Sequence, residues 1–355
     1  MKISTTKLKS LTTKAVAGAT QNKLIPITGL MCIKAHDNEL VMITTDAVNF
    51  LYVWDEVECE DFYAVVPVNL FSNLVSRLSS TETELTVKDG VLIVEGNGTY
   101  KIELPLDESG NQIKYKDPKS HYDIEEGGYA VSMVELRKII TIARPSLATT
   151  LDIPVLMNYY FGDTVVTSDQ CNICSINEKL FDTTVLMSPN LFRMVDTITA
   201  EEVVFFKFDD NVVIFDSPNM TVVGRCEDTV DEFPYDAVQP FVTETFNSRC
   251  NVSKSSLIAL LERVALFVSE YDKNTVNLHF TADGIEVASK HLSSIEKIDY
   301  IDSEGFKDYS CDISVVALLA QVKAYPNNTV TIEYGNDKSI KLVYNSVVQV
   351  LALSA

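Results

Sequence analysis

Basic side chains recur at a fixed spacing in this 355-residue chain. Arg137 and Arg144 are seven residues apart, two turns of a helix, and Lys7 and Lys14 repeat that spacing near the N-terminus. Guanidinium and ammonium groups aligned along one stripe of a helix can bind phosphate groups without reading bases. On any single helix a solvated surface explains such residues better, so the prediction of phosphate binding depends on how often the pattern repeats.

Other residues that could do chemistry stand in less specific settings. Cys171 and Cys174 form a single CxxC, and a zinc site would need a second ligand pair at metal spacing. Asp46 and Asp169 occur in the repeated frames TTD and TSD, which favours a shared turn or cap over paired catalytic carboxylates. The HExxH, P-loop, GxGxxG and GxSxG patterns are missing. We therefore expect no catalysis, no metal and no cofactor.

The charge balance excludes simple nucleic-acid binding by the whole surface. The chain has 29 basic and 50 acidic side chains, a net charge of −21, and would repel phosphate over most of its surface. A local basic zone inside an acidic body is still compatible with this balance. No stretch approaches the ~20 apolar residues that span a bilayer, and the N-terminus lacks an apolar signal segment. We expect a folded, soluble cytoplasmic protein with no membrane partner.

An internal repeat predicts which elements position the basic residues. Ile3-Ser4, Val131-Ser132 and Val252-Ser253 each precede leucine-type residues at helical spacing, and each serine suits a helix N-cap. Asn69-Leu70-Phe71 recurs as Asn190-Leu191-Phe192, half a unit later. Each copy is predicted to be a strand that runs into a helix.

Turn signals separate the strands that follow each helix. Asp89-Gly90 is a strong hairpin signal, and Asp209-Asp210-Asn211 and Gly335-Asn336-Asp337 stand at similar places. The pattern predicts an α+β fold of three tandem domains, each made of two βαβββ half-units, with boundaries in the polar stretches 107–128 and 238–248. We place the domains at residues 1–122, 123–246 and 247–355, with sheets on the outside and helices on one face.

The predicted helices and their flanks carry much of the positive charge, whereas the strands and loops carry most of the acidic residues. If the modules curve into a ring, the helix faces converge on a positive channel inside a negative shell, able to hold a phosphate backbone. The candidate DNA-binding residues of this channel are Lys7, Lys9, Lys14, Lys23, Arg77, Arg137, Lys138, Arg144, Arg193, Lys254, Arg263 and Lys323.

Short motifs spread over the whole chain resemble one family, the bacterial-type DNA sliding clamp, the β subunit of DNA polymerase III. Their order and spacing carry the resemblance, since no single motif is specific. They are the start MKISTTKLKSL, Pro26-Ile27, Thr45-Asp46, Pro154-Val155-Leu156, Phe233-Pro234 and the ending Val350-Leu351-Ala352-Leu353.

The resemblance implies a head-to-tail homodimer whose ring encloses double-stranded DNA, slides along it and acts as a processivity factor. It implies three partners besides a second copy of the chain: duplex DNA of any sequence, the replicative polymerase and a clamp loader ATPase. The domain-3 end of one chain would meet the domain-1 end of the other. Candidate interface residues are Ile102, Leu104, Leu266 and Phe267, which could equally be ordinary core residues.

The resemblance also implies a groove that holds a short apolar peptide of the polymerase and other replication proteins. Ordinary packing between domains is the alternative explanation of these residues. The groove would comprise Leu156, Ser168, Gln170, Cys171, Asn172, Ile173, Pro234, Val238, Val315, Ser339, Val350, Leu351, Ala352, Leu353 and Ser354.

The sequence departs from the family pattern at this groove. The family usually has Gly-His-Arg-Leu where this chain has residues 170–173, and a Met-Pro-Met-Arg type run where it has residues 351–354. The usual arginine near Ala237 is also missing. We expect a groove with an altered peptide preference, in keeping with a divergent, phage-encoded clamp. The competing hypothesis is an acidic three-repeat scaffold that never contacts DNA.

Overall fold

The computed structural model of the protein describes residues 1–272, 274–290 and 293–354, in two compact units. Unit 1 contains Met1–Val134 and Pro189–Cys226. Unit 2 contains Glu135–Ser188 and the described residues from Glu227 onward. Both units combine helices with antiparallel sheets, so the α+β prediction is confirmed.

Within the described ranges the α-helices are α1 (Thr5–Val16), α2 (Val68–Arg77), α3 (Met133–Ala143), α4 (Pro189–Val195), α5 (Tyr235–Thr243), α6 (Lys254–Val264) and α7 (Val315–Ala324). None of these helices is both long enough and apolar enough to cross a membrane.

The strands of unit 1 are β1 (Lys2–Ser4), β2 (Leu30–His36), β3 (Glu39–Thr45), β4 (Phe50–Glu56), β5 (Phe62–Pro67), β6 (Glu82–Lys88), β7 (Val91–Glu95), β8 (Thr99–Glu103), β9 (Tyr129–Ser132), β14 (Glu202–Lys207), β15 (Val212–Ser217) and β16 (Met220–Arg225). Those of unit 2 are β10 (Tyr159–Phe161), β11 (Val165–Ser168), β12 (Asn172–Ile176), β13 (Val185–Met187), β17 (Ser248–Ser253), β18 (Thr275–Phe280), β19 (Gly284–Ser289), β20 (Ile295–Asp299), β21 (Asp302–Glu304), β22 (Tyr309–Ser314), β23 (Thr329–Tyr334), β24 (Ser339–Tyr344) and β25 (Val347–Ala352).

The predicted half-unit occurs six times along the chain. Six groups of elements have the order strand, helix, three strands. They begin with β1, β5, β9, β13, β17 and β22. Helix α5 and the short strand β21 are the only α-helix and strand in the described residues that fall outside this order. The repeat predicted from the sequence is therefore confirmed as a structural repeat.

The turns follow the predicted chemistry more closely than the helix caps do. Asp89 and Gly90 form the two-residue turn between β6 and β7 with φ of 51° and 75°, as a type I′ hairpin requires. Ser253 caps α6 by accepting the Ser256 N–H at 3.4 Å. The prediction of a cap at Ser4 is wrong, because the Ser4 side chain makes no cap hydrogen bond; the Thr5 N–H, at the start of α1, donates to the Thr81 carbonyl at 3.0 Å.

Unit 1 contains a four-stranded sheet in the order β1-β6-β7-β8 and an eight-stranded sheet in the order β5-β2-β3-β4-β16-β15-β14-β9. Antiparallel pairing of β4 with β16 makes the larger sheet continuous. The connecting segment 107–128, predicted as a polar boundary, packs on this sheet through Ile113, Tyr115 and Tyr122. Its backbone is held by Tyr63, whose hydroxyl donates to the Ile113 carbonyl at 3.2 Å.

Unit 2 contains a nine-stranded sheet in the order β13-β10-β11-β12-β25-β24-β23-β17-β21 and a four-stranded sheet in the order β20-β19-β18-β22. Antiparallel pairing of β12 with β25 joins the strands of the second and third repeats. One core lies among α6, α7 and the strands near them. A second, smaller cluster lies around α5.

Helix α5 was not predicted, and it occupies the first part of the stretch expected to be a polar boundary. Pro240 lies inside it and removes one backbone hydrogen bond. Two tertiary interactions hold the helix. Val238 is buried in the apolar cluster, and the Lys341 ammonium donates to the carbonyls of Val242, at 2.8 Å, and Glu244, at the C-terminal end.

Candidate nucleic-acid interface and partner groove

In unit 1, the predicted DNA-binding residues lie mainly on α1 and α2, which pack side by side. Leu8, Leu11 and Ala15 bury one face of α1, which leaves Lys9 and Lys14 half-exposed. Lys23 is exposed in the following loop, and Arg77 is exposed at the end of α2. Within the described part of the chain, Lys9, Lys14 and Lys23 have no acidic side chain within ion-pair distance.

Two other cations of unit 1 are engaged by the protein itself. The Lys7 ammonium lies 3.0 Å from the Asp55 carboxylate and 2.9 Å from the Glu56 carbonyl at the end of β4. Arg193 on α4 donates to the carbonyl of Ala17, just beyond the C-terminus of α1. A cation at that position satisfies a free carbonyl and the negative end of the helix dipole.

In unit 2, α3 carries Arg137 and Lys138, and a 3₁₀ turn (Arg144–Ser146) follows it. Lys138 lies 3.2 Å from Glu135 on the same helix. Arg144 is exposed and, among the described residues, has no acidic side chain within ion-pair distance. The turn is anchored to α7, where Gln321 donates to the Ser146 hydroxyl at 2.7 Å.

The candidate cations of α6 and α7 are all paired. Lys254 donates to the Tyr325 carbonyl at 2.6 Å, and partial burial lowers the pKa of this lysine. Arg263 binds Glu296 through two nitrogens, at 2.9 and 2.6 Å, which raises the pKa of the arginine. Lys323 lies 2.7 Å from Glu262. These exposed ion pairs contribute little stability each, so a phosphate can replace the carboxylate at small cost.

The structure brings part of the predicted groove together in unit 2. Leu156, Ile173, Val238 and Val350 share the cluster around α5 with Phe233. Val315 and Leu351 are fully buried in the other core, with Leu353 packed against it. Ser168, Asn172 and Ser339 are buried, Pro234 and Ser354 are half-buried, and Gln170, Cys171 and Ala352 are exposed.

Backbone hydrogen bonds join the two segments at which the sequence departs from the family. The Ala352 N–H donates to the Cys171 carbonyl at 2.9 Å, beside the pairing of β12 with β25. The Leu353 N–H donates to the Lys338 carbonyl, also at 2.9 Å. The turn 170–173 and residues 351–353 therefore lie together.

A repeated aspartate turn shapes this region. The Asp169 carboxylate accepts the N–H groups of Cys171 and Asn172, at 2.9 and 2.6 Å, and the Asn172 side-chain amide at 2.8 Å. Asp46 accepts the same three bonds from Val48 and Asn49. The two carboxylates are thus turn formers, as predicted.

The CxxC pair also falls into this region, and its two thiols have different environments. Cys171 is exposed in the turn, whereas Cys174 is buried in β12, which raises the pKa of its thiol to about 12. Among the described residues there is no group of three or more histidine, cysteine or acidic side chains that could hold a metal.

The structure contains an acidic cleft, beside the predicted groove, that the sequence analysis did not predict. Tyr160, Phe233 and Tyr235 stack at ring-centroid distances of 4.8 and 5.2 Å, and they line an open cleft of about 560 Å³. Its other lining residues include three exposed carboxylates, Asp231, Glu232 and Asp236, and no basic residue. The stretch VDEFPYD, acidic and aromatic at once, was the available signal.

The predicted dimer residues differ in exposure. Ile102 and Leu104 are buried within unit 1, at 3% and 6% exposure. Leu266 and Phe267, in the 3₁₀ turn after α6, are 80% and 54% exposed in unit 2. Strand β8 is one of the two edge strands of its four-stranded sheet, and β20 is one of the two edge strands of the other.

This architecture is the DNA-clamp fold, as comparison with solved structures shows over the full length of the chain. The crystal structure of the DNA polymerase III β chain from Streptococcus pneumoniae matches 100% of this chain and 99% of its own, with a TM-score of 0.84 and 16% identity. The DNA polymerase sliding clamp from Bacillus subtilis gives 0.84 and 16%, over 100% and 98%. The β subunit from Thermotoga maritima gives 0.83 and 15%, over the same shares.

The sequence similarity to these structures is low. No protein-family model matches the chain, and no curated protein sequence matches it. The similarity to solved structures therefore shows the fold alone.

Proposed function

We propose that the protein is a sliding clamp, a non-catalytic processivity factor of DNA replication. Two copies would form a head-to-tail ring around duplex DNA, slide along it and tether the replicative polymerase. The observation that carries the proposal is the full-length match to solved DNA polymerase III β subunits, at a TM-score of 0.84. We propose residues 1–122, 123–246 and 247–355 as the three domains, since each range holds two of the six half-units.

The sheet topology supports the head-to-tail dimer. Each repeat has two half-units, and each half-unit ends with a strand. In the eight-stranded and nine-stranded sheets, the last strand of one repeat's first half-unit pairs with the last strand of the next repeat's second half-unit. This rule gives β4 with β16 and β12 with β25. The strands left over are β20 and β8, both open edges. Pairing β20 of one copy with β8 of another would extend the same rule between chains.

The charge distribution supports DNA binding through the helices. Lys9, Lys14, Lys23 and Arg144 present positive charge that the described residues do not neutralise. In a chain of net charge −21, such residues bind phosphate only if they converge on one surface. A closed ring of the proposed type would bring them together.

Charge reversal tests the DNA contact. We expect a variant with Lys9→Glu, Lys14→Glu, Lys23→Glu and Arg144→Glu to lose at least about tenfold in affinity for a fluorescent duplex, measured by anisotropy at low salt. Wild-type binding should fall with salt and be equal for two unrelated sequences.

The matched control reverses four exposed lysines outside the predicted channel: Lys88, Lys114, Lys116 and Lys338. It changes the net charge by the same amount and should retain affinity. Equal losses in both variants, or none in the first, would refute the channel.

The remaining partners follow from the same proposal. A clamp of this type is opened by a clamp loader ATPase and holds its polymerase through the groove that contains Leu156, Ile173, Val238 and Val350. It would act in the cytoplasm, on DNA and without a membrane partner.

One observation favours the alternative, an acidic scaffold without DNA contact. Lys7, Arg263 and Lys323 already lie within 3.0 Å of carboxylates. If phosphate does not displace these carboxylates, the positive charge of the helices is partly cancelled. Wild-type protein that binds neither duplex at low salt would support the scaffold.

A further inference from the structure

The cleft formed by Tyr160, Phe233 and Tyr235 has a charge that restricts its occupant. Each aromatic ring belongs to the apolar cluster that also contains Leu156, Ile173 and Val350, so the cleft is continuous with the proposed groove. Tyr160 and Tyr235 are half-buried and contribute apolar surface to its wall. A segment that binds there can bury apolar side chains on this wall.

The rim of the cleft is negative. Asp231 and Glu232 lie in a 3₁₀ turn (Val230–Glu232) and Asp236 lies in the first turn of α5. All three are exposed, and in the described part of the chain none has an ion-pair partner. A negatively charged segment would be repelled here, whereas a lysine or arginine would find unpaired carboxylates.

The pKa of the Tyr160 hydroxyl is shifted in the direction that a negative rim would produce. Burial raises this pKa, and the neighbouring charges of Asp163, Asp236 and Asp231 raise it further. The direction of this shift agrees with the negative rim that lines the same cleft.

We propose that this cleft binds a cationic linear segment of a partner protein, in which lysine or arginine flanks one or two large apolar side chains. The apolar residues would contact the wall formed by Tyr160, Phe233 and Tyr235, while the cations pair with Asp231, Glu232 and Asp236. This inference rests on the partner-tethering part of the proposed function, and it names the charge class of the tethered segment.

Three labelled peptides of one length test the proposal by fluorescence anisotropy with the full chain. The first is acetyl-Lys-Arg-Leu-Phe-Lys, the second has glutamine at the three cationic positions, and the third has glutamate there. We expect the cationic peptide to bind about tenfold more tightly than the neutral one, and the anionic peptide more weakly than both. The preference should shrink as salt is raised. Equal affinity of the first two would overturn the proposal.

Two neutralised variants separate the cleft from the charge of the whole protein. Asp231→Asn, Glu232→Gln and Asp236→Asn together should abolish the preference for the cationic peptide. The control, Glu108→Gln, Glu125→Gln and Glu126→Gln, changes the net charge equally at exposed positions of unit 1 and should retain it. A preference that persists in the cleft variant, or is lost in the control, would overturn the assignment to the cleft.

Failure of the cleft proposal can be told apart from failure of the proposed clamp function. DNA binding by the basic residues is measured without any peptide, so a protein that binds duplex and shows no cationic preference refutes only this inference. A protein that shows the preference and binds no duplex keeps the cleft assignment and refutes the clamp.

Discussion

At the scale of single residues, the most informative side chains are those that form turns. Asp46 and Asp169 stand in equivalent frames of two repeats and accept the same three hydrogen bonds. The residue after each has positive φ, 88° for Ala47 and 78° for Gln170. Residues other than glycine rarely adopt a positive φ, and the hydrogen bonds to the aspartate hold the backbone in this conformation. Sequence spacing predicted the turn, but only the structure shows that the Asp169 turn lies beside Ala352, whose N–H donates to the Cys171 carbonyl.

Removing one of these carboxylates should destabilise the fold. We expect Asp169→Ala to lower the free energy of unfolding by about 2 kcal/mol, because three donors lose a charged acceptor. The measurement is urea unfolding followed by circular dichroism. Asp163→Ala is the control: its carboxylate is 90% exposed and, among the described residues, forms an ion pair with Lys179 alone, so the loss should stay below about 0.5 kcal/mol. Equal losses would show that Asp169 does not hold the turn.

His36 should make stability depend on pH. The Asp61 carboxylate 2.8 Å from Nδ1, and Asp37 3.2 Å from Nε2, raise the pKa of His36 above its ordinary 6.5. Since the pKa is higher in the folded chain, the pairing stabilises fully below about pH 6.5 and is lost as pH rises through the raised value. NMR titration should give a higher pKa in the wild type than in Asp61→Asn. An identical pKa in both proteins would contradict the pairing.

At the scale of elements, the repeat was predictable and the exceptions were not. The strands and helices of the six half-units follow local signals such as Asp89-Gly90, whose turn depends only on neighbouring residues. Helix α5 depends on contacts distant in sequence: Val238 in a cluster with Val350, and Lys341 at its C-terminal end. Pro240 indicates a break when the sequence is read alone, so local patterns could not reveal this helix or the cleft beside it.

Lys341 should therefore stabilise α5 in its folded position. Burial lowers the pKa of this lysine, and its ammonium satisfies the carbonyls of Val242 and Glu244. We expect Lys341→Met to cost about 2 kcal/mol and to speed amide exchange in α5, since these carbonyls lose their donor. Lys338→Met, at an exposed position nearby, should change stability by less than about 0.5 kcal/mol. Unchanged exchange in α5 would show that Lys341 does not hold the helix.

At the scale of the whole molecule, the pairing rule supports the proposed closed assembly. Four of the six strands that end a half-unit pair with one another, β4 with β16 and β12 with β25, whereas β8 and β20 each have one side open. Open edges invite uncontrolled association unless a specific partner covers them. The exposed Leu266 and Phe267 follow α6, which packs against β20, so they would flank the junction. Ile102 in β8 is buried within unit 1, at 3% exposure.

Light scattering tests the assembly directly. We expect the wild-type protein to have about twice the 39.5 kDa mass of one chain at micromolar concentration and to keep it on dilution to nanomolar. Leu266→Asp with Phe267→Asp should weaken association by about 3 kcal/mol, a hundredfold or more in Kd, because two apolar contacts are replaced by charges. Leu24→Asp, at a leucine 91% exposed in unit 1, should leave the mass unchanged. A wild-type monomer at every concentration would remove the main support for a preformed ring, while dissociation of both variants would show that added charge, rather than the junction at β20, sets the mass.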